Sequence, residues 1–220
     1  MAKKHIQSAS VVLPSQVWCH DVQGRSYSFD QYRDCISAFH GYPARGLFIG
    51  AKMVDLAMAA IPSGRLFDAI SETGNCLPDA IQLLTPCTVG NGWLKVLDLG
   101  RFAMALYDKQ NGEGLRVFLA PDKVASWKEI DSWFFKRKPK VEQDTQLLLQ
   151  EIQQAGERIL QTEKIQVRPD VMARISLGQR ALCPRCGESY PLKQGVCCRA
   201  CQGESPYVEI IHEVQPAKAC

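Results

Sequence analysis

The chain has no run of about eighteen consecutive apolar residues, which excludes a membrane-spanning helix of ordinary length. Its opening stretch, MAKKHIQSASVVLPSQ, is basic and then apolar. The apolar part is only Val11-Val12-Leu13, too short for the core of a signal peptide. Net charge is also scarce: +3 is too little to imply a nucleic-acid or membrane surface. We therefore expect a cytoplasmic protein. With 46% hydrophobic and 22% charged residues it is neither disordered nor fibrous in type. Its 220 residues suffice for one full core plus a small appendage.

Cysteine is abundant, with ten residues, and unevenly placed: five fall between 183 and 201 and the others are scattered singly. In a chain without a secretion signal, such clustering points to metal rather than to disulfides. Cys183-Pro184-Arg185-Cys186 and Cys198-Arg199-Ala200-Cys201 are two CxxC knuckles separated by eleven residues. Paired knuckles suit tetrahedral zinc, since each places two sulfurs on one side of the ion and leaves backbone N–H groups to bond them. Four thiolates leave no open position, so the expected zinc is structural. Cys197 competes with Cys198 as third ligand, and the CxxC spacing favours Cys198. A redox role would need a βαβ setting that is absent from this part of the chain. As a nucleic-acid reader the module would offer Arg180, Arg185, Lys193 and Arg199, with Tyr190 and Tyr207 as stacking rings. We expect no nucleic-acid partner.

The stretch from Glu72 to Gly92, ETGNCLPDAIQLLTPCTVGNG, holds two further cysteines. Asn75 is a good helix N-cap, Pro78 suits a first turn, and residues 80–84 are a short apolar helical run. Cys76 is thereby placed at a helix N-terminus, where free amides and the dipole favour a thiolate. Asp79 follows one turn on. After the helix, 87–92 is a glycine-punctuated loop that brings backbone N–H groups near a small ligand or anion. Buried packing is the competing role for both thiols, since free cysteine is among the most buried residue types.

The remaining elements follow in order. Residues 1–27 read as a loose arm whose Cys19 and His20 point to opposite faces. Ser28 and Gln31 form a capping box for a helix carrying Phe29, Tyr32, Ile36 and Phe39, and His40 ends it before Gly41. Residues 46–61 are apolar nearly all round, which marks a buried helix, and Gly46 and Gly50 line its first turn. Residues 66–71 and 93–99 read as strands, and Asn111-Gly112 as the turn of a hairpin between 102–107 and 115–119. A helix runs from Pro121 to Phe135. Lys136-Arg137-Lys138-Pro139-Lys140 reads as a solvated connector. A long helix over 142–163 carries a seam of Val141, Thr145, Leu148, Ile152, Ala155 and Ile159, which needs a partner in the first domain or in a second copy of the chain. Another short helix spans 171–177, and 206–211 is a closing strand. The expected class is α+β, with helices packed on a mainly antiparallel sheet, then a long helix and a small zinc module. The expected domains are 1–135, 136–178 and 179–220.

FHGYPARGLFIGAK (39–52), the 72–94 stretch and DLGRFAMALYD (98–108) together resemble the FmdE family of formylmethanofuran dehydrogenase proteins. That resemblance implies an α+β core over roughly 28–135, a treble-clef zinc finger after it, and a homodimer. It maps His40, Cys76, Asp79, Cys87 and Thr88 onto the family's site. Tyr42, Ala44 and Arg45 stand where the family has His, Cys and Pro. What it implies functionally is an accessory protein of molybdenum or tungsten formylmethanofuran dehydrogenase metabolism. That protein would dock to the metal-enzyme complex and hold a small ligand or a second metal ion in the core pocket. The alternative is an enzyme with Cys76 as nucleophile or redox thiol, Asp79 as charge partner and His40 as general base.

Overall fold

The computed structural model describes residues 16–174, 176 and 178–208. These form two compact units, divided between Met172 and Ala173. The start of the expected arm, part of the closing strand and Cys220 lie outside the described residues; Pro206–Val208 are not strand.

In the first unit β1 (Val17–His20) and β2 (Ser26–Ser28) form a small antiparallel pair. The chain then enters α1 (Phe29–His40). The capping box is present: the Ser28 N–H donates to Gln31 Oε1 (2.8 Å) and the Gln31 N–H donates to Ser28 Oγ (3.2 Å). Gly41, at φ 88°, closes the helix in the left-handed conformation that glycine adopts without strain. The buried helix is α2 (Arg45–Ala59), with Leu47, Phe48, Ala51, Met53, Val54 and Ala57 sealed. It lies between the sheet and α3 (Leu77–Leu84), which follows β3 (Phe67–Ser71). A Cβ on Gly50 would stand 2.7 Å from Ala80 Cβ and 3.1 Å from Leu77 Cδ2, so this glycine sets how closely α2 and α3 approach.

β4 (Leu94–Val96), β5 (Ala103–Asp108) and β6 (Glu113–Leu119) follow. The sheet order is β4-β3-β5-β6 and then β7 (Leu160–Gln166). All neighbours are antiparallel except β3 and β4, which the α3 crossover makes parallel. The architecture is therefore α+β on a mainly antiparallel sheet. One sheet face, with Phe67, Ala69, Met104, Leu106, Val117 and Leu119, joins the helices in the main core. The other carries a small cluster of Ile70, Ala105, Tyr107 and Val167, with Val171 and Met172 of α7 (Pro169–Met172) packed on it.

Two helix expectations are corrected. The helix expected from Pro121 to Phe135 is two, α4 (Pro121–Val124) and α5 (Lys128–Phe134). The long helix over 142–163 is α6 (Thr145–Ala155), a single 3-10 turn and then β7. Gly156 turns the chain at φ 54°, ψ −124°, a conformation that side-chain-bearing residues avoid. Beyond it, pairing along the whole of β6 supplies the strand with a full ladder. The seam finds its partner inside the unit: Leu148, Ile152, Ala155 and Ile159 are buried in the main core, whereas Val141 is 93% exposed. The segment from 136 to 172 thus belongs to the first compact unit.

In the second unit β8 (Arg180–Leu182) pairs with β9 (Ser189–Pro191) around the first knuckle, and a 3-10 turn over 200–202 carries Cys201. The short helix expected over 171–177 ends at Met172 as α7, and residues 175 and 177 lie outside the described residues.

Candidate functional site

Cys76 itself, not Asn75, occupies the N-cap position of α3, and no side chain caps that helix. Asn75 instead accepts the Leu77 N–H through its backbone carbonyl, and its own N–H donates to Thr73 Oγ1. Cys76 has φ 58°, a left-handed conformation that costs a non-glycine residue of the order of 1 kcal/mol or more. Its half-buried sulfur lies against Gly46 at the start of α2. A Cβ on Gly46 would stand 2.8 Å from Cys76 Cβ and 2.9 Å from Sγ, so a glycine is required for this approach. Burial first, and then the Asp79 carboxylate, push the Cys76 thiol pKa up, and the Gly46 N–H only partly offsets them. The direction runs against the thiolate expected at this helix start, because loss of water and a neighbouring negative charge both favour the neutral thiol.

The His40 Nδ1 lies 2.6 Å from Asp79 Oδ2, which ties the last residue of α1 to the first turn of α3. The tie continues. Gln82 Nε2 donates to Asp79 Oδ1 (3.2 Å), and Gln82 Oε1 accepts the Val89 N–H (3.2 Å) from the glycine-rich loop. Tyr42 packs its ring against His40, with centroids 4.9 Å apart.

Cys87 and Thr88 do not join this group. Cys87 is fully buried, and its Sγ lies 3.7 Å from the Phe67 carbonyl under β3, where burial pushes its pKa up to about 11. Thr88 is spent on the loop itself: its N–H donates to Asn91 Oδ1 and its Oγ1 accepts the Asn91 N–H, both at 3.1 Å. The two lie past the C-terminal end of α3, whereas Cys76 and Asp79 lie at its beginning. The expected five-residue pocket is therefore corrected to a group of His40, Asp79 and Cys76, with Cys87 sealed as packing.

A cavity of about 570 Å³ opens beside Cys76, bounded by Tyr42, Arg45, Trp133, Lys136 and Gln143. Composition alone missed it, because its walls come from the α1–α2 turn, the end of α5 and the 136–143 segment. The basic stretch read as a solvated connector is one of those walls. Arg137 pins it to Asp131, and Gln143 Nε2 donates to the Lys138 carbonyl.

In the second unit the sulfurs of Cys183, Cys186, Cys198 and Cys201 all lie within 4.8 Å of one another. The Cys186 and Cys198 sulfurs are 3.8 Å apart. A zinc ion with Zn–S of about 2.3 Å in tetrahedral geometry places its sulfurs about 3.8 Å apart, so the donor set fits this ion. Amide N–H groups of Cys186 and then Cys198 point at Cys183 Sγ and hold its pKa down to about 6, as a metal thiolate needs. Cys197 is buried outside the set, and its carbonyl accepts from Gln202 Nε2. Tyr190 is no stacking ring: it is buried, and its hydroxyl donates to the Gly195 carbonyl (3.0 Å). Among the described residues these four cysteines are the group of three or more His, Cys, Asp or Glu side chains that converge as a metal site demands. No helix of the described residues is long and apolar enough to cross a membrane.

These features define an α+β protein that carries a small four-cysteine zinc-finger module. Residues 39–167 match the family described as FmdE, molybdenum formylmethanofuran dehydrogenase operon, and residues 175–208 match the FmdE treble clef zinc finger. The chain belongs to the FmdE family. It is similar to the crystal structure of a tungsten formylmethanofuran dehydrogenase FmdE-like protein from Syntrophus aciditrophicus, with 49% identity and a TM-score of 0.77, over 86% of this chain and 99% of that one. It is also 31% identical, over 75% of its length, to a probable S-adenosyl-L-methionine-binding protein of Archaeoglobus fulgidus, of which it spans half.

Proposed function

We propose that this chain is an accessory protein of formylmethanofuran-dehydrogenase-type molybdenum or tungsten metabolism. Its α+β unit holds a small organic ligand in the cavity beside Cys76, and its second unit is a structural zinc finger that docks the partner enzyme. The observation that carries the ligand reading is the placement of Cys76. A thiol in a left-handed conformation, seated on a glycine and facing a cavity of about 570 Å³, is a costly arrangement for mere packing. The enzyme alternative is not favoured, because burial and Asp79 both disfavour the thiolate that a nucleophile requires. A second copy completes the assembly in this reading, with the exposed Val96, Leu97 and Leu99 at the β4 edge as apolar surface for it.

The name of the Archaeoglobus relative makes S-adenosylmethionine the first ligand to try. Calorimetric titration of the full chain tests the pocket. Heat of binding that disappears in a folded Trp133→Ala variant supports it. Binding that is unchanged in that variant moves the ligand elsewhere and overturns the assignment.

A further inference from the structure

The cavity beside Cys76 has a one-sided charge. Among the described residues Arg45, Lys136, Lys138 and Lys140 line it, and no carboxylate does. In a chain with 26 basic and 23 acidic residues, that is local segregation rather than a reflection of composition. The cations are also not used up by the protein. Lys138 pairs with Glu129 at 3.3 Å, but among the described residues Lys136 and Lys140 make no ion pair. Arg45 bonds Thr145 Oγ1 through one terminal nitrogen, and its Nε is buried without a hydrogen-bond partner. A buried, unpaired guanidinium N–H is costly unless something accepts from it.

The backbone makes the same point. Cys76 and Lys136 are the two non-glycine residues with positive φ among the described residues, and both line this cavity. Lys136, at φ 52°, follows the end of α5 at the place where glycine costs least. Its wall is held firm by Arg137 on Asp131 and by Pro139, so the lysines are displayed from a braced segment. The half-buried Trp133 also lines the cavity and offers an apolar face for a flat group.

We infer that the cavity selects a small organic anion, a flat ring bearing a phosphate or a carboxylate, with the anionic group on Lys136, Lys140 and Arg45 and the ring on Trp133 above Cys76. This rests on the reading of the cavity as a ligand site and names the class of ligand it takes. The chemistry of recognition is shared by the two anions: charge-assisted hydrogen bonds from a guanidinium and two ammonium groups, strengthened where a cleft with low-dielectric walls focuses one sign of charge.

The test is calorimetric titration of the full zinc-loaded chain with adenosine 5′-monophosphate, isophthalate and neutral adenosine, at low and high salt. The expected result is that at least one of the two anions binds, about tenfold or more tighter than adenosine, and loses affinity as salt rises. Binding of the nucleotide alone assigns a phosphate ester, and of isophthalate alone a carboxylate. The charge reversals Lys136→Glu and Lys140→Glu together should weaken that binding about tenfold or more, while Lys164→Glu on β7 leaves it unchanged. Adenosine binding as well as the anions, or the double variant binding as well as the parent, overturns the inference. If S-adenosylmethionine binds in the Trp133-dependent manner and neither anion does, the anion class falls and the pocket stands. If none of these compounds binds, both fall.

Discussion

His40 and Asp79 are 39 residues apart in the chain, and Nδ1 of one is 2.6 Å from Oδ2 of the other. The contact matters because Asp79 is shared: its second oxygen accepts from Gln82, which in turn holds the Val89 amide. The imidazole at the end of α1 is therefore linked to the 86–92 loop through three hydrogen bonds in series.

Replacing Asp79 by alanine should cost about 1 kcal/mol of stability, the net worth of a typical partly buried hydrogen bond. More specifically, hydrogen exchange at the Val89 amide should quicken. If exchange there is unchanged while exchange throughout α1 quickens, the relay through Gln82 is not what positions the loop.

Cys76 should alkylate slowly at neutral pH. An ordinary thiol has a pKa of about 8.5, and here burial and Asp79 shift the group upward, so the thiolate fraction at pH 7 falls below the ordinary few per cent. The rate of iodoacetamide labelling should rise with pH through a midpoint above that of a free cysteine peptide. Asp79→Asn should bring the midpoint down, and Cys87 should stay unlabelled until the chain unfolds. Fast labelling of Cys76 at pH 7 would restore the enzyme alternative.

The zinc module should depend on its metal. Ligand sets of this type contribute on the order of 10 kcal/mol or more to the folding of small domains. Cys186→Ser or Cys201→Ser, or treatment with a strong chelator, should collapse residues 178–208 to protease-sensitive chain and release a single zinc ion per chain. Cys197→Ser should release none. The thermal transition of the first unit should persist in each case.

Gly50→Ala should destabilise by about 1–3 kcal/mol, because the added methyl meets Ala80 Cβ at 2.7 Å and α3 must move away. Since Cys76 is the N-cap residue of α3, the same substitution should change the cavity, and ligand binding should weaken along with the melting temperature.

Elements written in short, local code were legible from residue types. The Ser28/Gln31 box, the Gly41 stop and the apolar run of α2 each depend on residues a few positions apart, and each is where the spacing placed it. The Asn111-Gly112 hairpin follows the same logic. The knuckle spacing likewise brought four sulfurs within 4.8 Å. The second half of the supposed long helix was not legible. Residues 160–166 tolerate helix locally and become β7 because a whole ladder on β6 awaits them once Gly156 has turned the chain. The thiols misled for the same reason. Cys76 and Cys87 look alike in sequence, yet one faces a cavity and the other faces the Phe67 carbonyl.

Residue types and spacings by themselves determined the α+β class, the metal-binding knuckles and the family to which the chain belongs, because those rest on short-range geometry. Only the tertiary structure decided which side chains share a space: His40 with Asp79, Cys76 with Trp133 and the basic wall, Cys87 with none of them. Burial and neighbouring charge set the protonation and the accessibility of each thiol, and both are properties of packed elements distant in the chain.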